Sequence, residues 1–152
     1  MKKIIVLLLL VTAYGCANKP GVKMVVECKT PVDINTRGPA LVGEGYGLKM
    51  TSIPLDALQF TDATIASSVA VQAIRATRSA TDTVNVTARI VNCTDKPINV
   101  RARTSFMDKN QVPTEPVSAW KILFLSPKAT TVYQELSTTD NVSHYLVELG
   151  KE

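Results

Sequence analysis

With 152 residues, the chain has room for one domain, or for one domain with an extension. Its formal charge of +4 falls to about +2 if Lys2 and Lys3 are lost with a leader, too little to argue for a nucleic-acid partner. Abundant Val, Thr, Ile and Ala with eight Pro and seven Gly favour strands and turns over helices, and a single histidine argues against a multi-histidine metal site.

The chain opens with Lys2 and Lys3, an apolar run from Ile4 to Val11, and the stretch Thr12-Ala13-Tyr14-Gly15. This is the order of a secretory signal peptide, and the apolar run is too short to span a bilayer stably. Cys16 follows directly, and the arrangement resembles the lipobox of bacterial lipoproteins. That pattern prefers Leu three residues before the Cys and Ala or Ser two before; here Ala13 and Tyr14 stand there, and Gly15-Cys16 is the matching part. The resemblance implies that residues 1–15 are removed and that Cys16 takes a diacylglycerol and a further acyl chain such as palmitate. Each buried methylene contributes about 0.8 kcal/mol, so two or more chains anchor stably. Ala17 rather than Asp follows the Cys, which by the sorting rule of Gram-negative lipoproteins implies the outer membrane, facing the periplasm. An ordinary signal peptide or an uncleaved anchor is the alternative. No later apolar stretch is long enough to cross a membrane.

Residues 16–64 read as the lipidated cysteine, a polar tether (Ala17 to Gly21) and an irregular extension. Val22 to Cys28 is a candidate strand. Lys29 to Lys49 holds Pro31, Gly38, Pro39, Gly43, Gly45 and Gly47 without a sustained period, as expected of a long loop or spacer. Ile53 to Phe60 suits one helical turn, with Pro54 near its start. Cys28 and Cys93 would meet an oxidising compartment, which permits a disulfide; two separate buried thiols are the alternative. A bridge would close a loop of about 65 residues and stabilise by about 4 kcal/mol on the chain-entropy account.

From residue 65 to 152 the pattern becomes regular. Ser68 to Ala76 is a strand candidate. In Thr83 to Asn92, Val84, Val86, Ala88 and Ile90 share one face, and Asn85, Thr87 and Arg89 the other. Thr94-Asp95-Lys96-Pro97 is a turn signal. Ile98 to Met107 alternates again, with Ile98, Val100, Ala102 and Phe106 opposite Asn99, Arg101 and Arg103. Two alternating runs about a tight turn predict an antiparallel hairpin. Asp108 to Gln111 is the next turn, with Asn110 suited to a left-handed conformation. Pro113 and Pro116 restrict Val112 to Ala119 to an edge or a loop. Trp120 to Leu125 is short and apolar, as a central strand would be. Ser126-Pro127-Lys128 turns the chain, and Thr130 to Leu136 and Ser143 to Leu149 complete the set. The expected class is all-β, an immunoglobulin-like antiparallel β-sandwich behind a signal peptide and an irregular extension.

The segments Arg89-Ile-Val-Asn92-Cys93-Thr94-Asp95-Lys96-Pro97-Ile98-Asn99-Val100, Phe106-Met107-Asp108 and Trp120-Lys-Ile-Leu-Phe-Leu-Ser-Pro127 resemble the YcfL-like family of small periplasmic lipoproteins. In that family an Asn-x-Thr turn joins two strands, an aromatic-x-Asp turn follows, and a Trp opens a strand that ends in Pro. The resemblance spans about Ile65 to Leu149. It departs at Lys109-Asn110, where Gly is usual, and in a longer stretch from Lys29 to Thr64. It implies a β-sandwich held at a membrane in the periplasm, and no reaction.

Candidate chemistry is sparse. His144, between Ser143 and Tyr145, is the one histidine, and no GxSxG or SxxK pattern supplies it with a nucleophile. Carboxylates are scattered, with no marked pair for glycoside hydrolysis, no calcium loop and no CxxC or HxxxH spacing. Gly43-Glu-Gly-Tyr-Gly47 lacks the strand and the Lys-Ser/Thr of a phosphate loop. The notable polar feature is an arginine face. Across the expected hairpin Arg89 would approach Arg101 or Arg103, and such like charges call for a carboxylate, an anionic lipid or an acidic partner, or for plain solvation. Trp120, the sole tryptophan, is expected in the core, with an exposed interface anchor as the alternative. The expectation is a cofactor-free, non-catalytic interaction or structural module, held to the membrane by lipid and joined to an envelope protein of a secretion, conjugation or flagellar type of assembly. A small cell-wall hydrolase and a carrier of apolar ligands are the alternatives.

Overall fold

The computed structural model describes Cys28, Lys29, the backbone of Ala40–Leu41, and residues 57–152. The leader, Cys16, the tether, most of the Gly/Pro-rich stretch and Ile53 to Asp56 lie outside the described residues. Among the described residues, eight strands and one short helix follow in the order β1 (Ala40–Leu41), β2 (Leu58–Phe60), α1 (Ala63–Ser68), β3 (Val69–Arg78), β4 (Val84–Asn92), β5 (Ile98–Met107), β6 (Lys121–Leu125), β7 (Thr130–Leu136) and β8 (His144–Lys151). They form two sheets. One runs β1-β8-β5-β6, with β2 also pairing β8; the other is β3-β4-β7. The all-β sandwich is therefore the architecture, and β2 enters it in parallel with β8, Leu58 opposite Val147.

The sandwich closes because period-two apolar runs from both sheets face each other. Val84, Val86, Ala88 and Ile90 of β4 are all fully buried, as are Val100 and Ala102 of β5 and Tyr145, Val147 and Leu149 of β8. Each large side chain so buried contributes about 1.5–3 kcal/mol. Tyr133, Phe106 and Leu125 fill the remaining space between the sheets. Cys28 and Cys93 form a disulfide with Cα atoms 5.5 Å apart, which ties the stretch before the domain to the end of β4.

The expected hairpin of β4 and β5 does not form. β4 pairs with β3 and β7, whereas β5 pairs with β6 and β8. The chain instead crosses from one sheet to the other at residues 93–97. Asn92 makes the crossing: it is fully buried, and its Nδ2 donates to the carbonyls of Lys96 (2.7 Å), Ser126 (3.1 Å) and Leu125 (3.2 Å). Its Oδ1 accepts from the Thr94 N–H and hydroxyl, both at 2.8 Å. The Asn-x-Thr motif is thus an arch that stacks the apolar faces of β4 and β5 against each other rather than aligning the strands side by side.

Three local expectations are also corrected. β6 is an edge strand, not a central one, since it pairs with β5 alone. Its apolar composition is split, with Leu125 buried and Phe124 67% exposed. Leu58–Phe60 is strand rather than helix, because its backbone is claimed by β8. The helix lies later, at Ala63–Ser68, where the Asp62 carboxylate caps it by accepting from the N–H groups of Thr64 (2.8 Å) and Ile65 (3.1 Å). At the turn after β5 the left-handed residue is Gln111 (φ 62°), not Asn110. Asp108 sets that geometry: its carboxylate accepts from the N–H groups of Asn110 and Val112, and the Gln111 N–H closes the turn on the Asp108 carbonyl.

Candidate interaction surface

The outer face of the five-stranded sheet is built by register. Arg103 of β5 stands opposite Glu148 of β8, and Arg101 stands opposite Gly150 on one side and Ile122 of β6 on the other. Directly opposed residues share a face, so Arg101, Arg103, Ile122, Phe124 and Glu148 all point outward. Trp120 precedes β6 and lies half-buried beneath the arginines, with the Arg101 and Arg103 guanidinium carbons 4.5 and 4.4 Å from its ring centroid. Both distances are within the range of cation–π attraction.

The two arginines are not equivalent. Arg103 Nε and Nη2 donate to the Glu148 carboxylate at 2.6 and 3.1 Å, a forked pair that discharges it. Among the described residues no carboxylate or carbonyl bonds Arg101, and its Nε is buried without an acceptor. Gly150 makes room chiefly for Thr61, since a Cβ there would stand 2.4 Å from Thr61 Oγ1, and the Arg101 side chain leans over the same glycine, its Nε 3.4 Å from that position. Outside this pair, Ile122 is 59% exposed on β6, whose far edge pairs with no strand among the described residues.

Arg89 belongs elsewhere. It lies on β4 in the other sheet, between Ala73 and Val132, and is exposed. The three-arginine cluster therefore divides into one arginine on one outer face and two on the other. Repulsion between Arg101 and Arg103 is relieved by Glu148 and by the shared indole ring.

Behind this face a polar bolt joins the sheets. Thr104 of β5 and Tyr133 of β7 share a hydrogen bond of 2.9 Å, the Tyr133 hydroxyl lies 3.2 Å from Glu135, and Lys121 Nζ donates to Glu135 (3.0 Å) and to the Gln134 carbonyl (3.0 Å). Burial pushes the Tyr133 phenol up to about 12, and burial pushes Tyr145 up as well. No sequence pattern marks Thr104 and Tyr133 as partners, since they sit on different sheets 29 residues apart.

His144 opens β8, where its Nδ1 lies 3.0 Å from the Asp108 carbonyl and therefore donates to it. Carboxylates with resolved partners serve the fold. The Asp62 and Asp108 carboxyls are held below the usual range, first by the N–H groups of Ile65 and Val112 respectively. Glu115 accepts from the backbone of Thr138 and Thr139 and so pins the proline-rich loop to the β7–β8 connection. Among the described residues no three His, Cys, Asp or Glu side chains gather as a metal site would need. A groove of about 500 Å³ runs along Leu58 to Ala63, at the surface.

No family model matches the chain, and no curated protein matches it. Two solved structures are similar in fold. The Campylobacter jejuni protein cj0090 superposes with a TM-score of 0.50 at 7% identity, covering 63% of this chain and 98% of that one. A DUF1425 family member from Shewanella sp. pv-4 also gives 0.50, at 21% identity, covering 55% of this chain and 78% of that one. At these identities the likeness establishes the shared sandwich.

Proposed function

We propose that this chain is a bacterial outer-membrane lipoprotein, anchored through Cys16, whose sandwich serves as a non-catalytic interaction module of a cell-envelope assembly. The supporting observation is the outer face at the β6 edge. Trp120, Arg101 and the exposed Ile122 and Phe124 combine a rigid aromatic, a cation that no carboxylate bonds among the described residues, and apolar surface that water does not favour. The leader supports the anchor, and the YcfL-like motifs support the periplasmic setting: their Asn-x-Thr turn is the arch, and their Trp underlies the arginines. The fold shared with a DUF1425 member is consistent with that family reading. The core packed with Tyr133, Tyr145 and Phe106 leaves little room for an apolar ligand.

Two measurements test the proposal together. Metabolic palmitate should label the wild-type chain and not a Cys16→Ser variant, and crosslinking with mass spectrometry after mild detergent extraction should return a defined envelope protein joined to the β6 side. An unlabelled chain that fractionates as freely soluble material, or a chain joined to nothing, contradicts it.

A further inference from the structure

The two ends of the sandwich differ in how the chain reaches them. At one end lie the crossing at residues 93–97 and the turn at 126–129, tied together by Asn92 and by the Lys128 N–H on the Thr94 carbonyl. At the other lie the turns at 79–83, 108–112 and 137–143. Arg78 joins two of them by donating to the carbonyls of Asp82, Asp140 and Val142, and His144 bonds the third at the Asp108 carbonyl. β4 runs from one end to the other, a length of about 27 Å at about 3.4 Å per residue. The bridge from Cys28 to Cys93 lies at the crossing end, where the Cys93 N–H bonds the Ser68 carbonyl and Lys128 Nζ the Cys93 carbonyl. β1 lies at the opposite end, with Leu41 paired to His144, the first residue of β8.

Resting on the reading that Cys16 carries the lipid, we propose that the disulfide decides which end of the sandwich meets the membrane: the crossing end faces the lipid head groups, and the turns at 79–83, 108–112 and 137–143 face away. The chain holds three cysteines and the bridge takes two, so Cys16 is the one left for acylation. Cys28 follows Cys16 by twelve residues, a span of at most about 40 Å at full extension. With the crossing end down, the intervening chain needs no stretch. Turning the domain over lifts Cys93 a whole sandwich length from the bilayer and uses about 27 Å of that limit, at a cost in conformational entropy. Without the bridge, the first described residue paired to the sandwich is Ala40, at the far end and 24 residues from Cys16, so the reach about doubles and the preference is lost. Charge does not make the choice. At the crossing end Lys29, Lys96, Lys128 and Lys151 stand with Asp62, Asp95 and Glu152, close to balance.

The test places the lipidated full chain in vesicles of phosphatidylcholine and phosphatidylglycerol that carry a dansyl head group as energy acceptor. Trp120 is the only tryptophan, so in a Trp120→Phe background one new donor is introduced, by Lys96→Trp at the crossing end or by Lys109→Trp at the far end. Both positions are exposed, and both changes remove one positive charge. Transfer should be about twofold or more greater from position 96 than from position 109, since the ends lie about 27 Å apart. Reduction with dithiothreitol, or Cys28→Ser with Cys93→Ser, should bring the two together. Should Trp120→Phe not fold by circular dichroism, a photoreactive phenylalanine derivative at position 96 or 109 reads the same contrast as lipid adducts, with Trp120 intact. Equal transfer from the two positions in the bridged chain overturns the proposal. So does a contrast that survives loss of the bridge, or one that vanishes in high salt, which would assign the orientation to charge. Vesicle flotation separates the two failures. A chain that floats yet shows equal transfer sinks the orientation alone, whereas one that does not float sinks the anchor and the orientation with it.

Discussion

Arg89 and Arg101 occupy matching places in two alternating runs, each flanked by buried small or branched residues, yet they end on opposite outer faces of the molecule. Arg89 stands exposed between Ala73 and Val132. Arg101 packs on an indole, loses its Nε from solvent, and borders an exposed apolar edge. Alternation determines which side of a strand a residue takes; the connection between strands determines which sheet that side belongs to. Here a single buried asparagine makes the choice, by turning the chain across the sandwich instead of back along it.

The largest disruption of this contrast should come from ionising what lies between the two faces. Burial raises both the Tyr133 and Tyr145 phenols in the folded chain, so their contribution to stability is fully present below about pH 10, their unfolded value, and is lost above it, that of Tyr133 as pH rises through about 12. Denaturation midpoints should hold steady up to pH 10 and then fall steeply; a Tyr133→Phe variant should soften that fall, and a flat profile to pH 12 would refute the bolt. Next in size, Asn92→Ala removes five hydrogen bonds from the arch and should cost about 3 kcal/mol by urea denaturation. The exposed Asn99→Ala should stay within about 0.5 kcal/mol.

Trp120→Ala should cost about 2 kcal/mol, and a double-mutant cycle with Arg101 should show a coupling of about 0.5–1 kcal/mol. The same cycle between Trp120 and Arg89 should give none. The smallest effects sharpen the contrast most directly. Arg103→Ala should cost about 1 kcal/mol, a modest figure because the Arg103 side chain is 32% exposed and solvent screens its pair with Glu148. Arg89→Ala should fall within about 0.5 kcal/mol. Equal costs at the two positions would remove the distinction between the faces.

Much of the sandwich is legible in the chain because period two survives wherever one side of a strand is buried. Val84, Val86, Ala88 and Ile90 are legible for that reason, as is the strand at Thr130 to Leu136. The connection between β4 and β5 is not legible, because a hairpin and an arch begin from the same alternating runs and the same turn residues. β6 misleads because its apolar content serves two ends: Leu125 enters the core, while Ile122 and Phe124 face out. The helix at Ala63–Ser68 carries a signal in the Asp62 cap, but its six residues are too few to show a period. The arginine face is half legible. The need for a compensating carboxylate follows from two arginines on one strand face, whereas Glu148 as its source and Trp120 as the shared platform depend on pairings made only by the fold.

On the proposed function, the β6 face and not the Arg89 face meets an envelope partner. A photoreactive phenylalanine derivative placed at Phe124, and separately at Arg89, in cells that make the protein tests this most directly. The expected result is a discrete adduct with one envelope protein from position 124 and none from position 89. No adduct from position 124, or the same adducts from both positions, would contradict it.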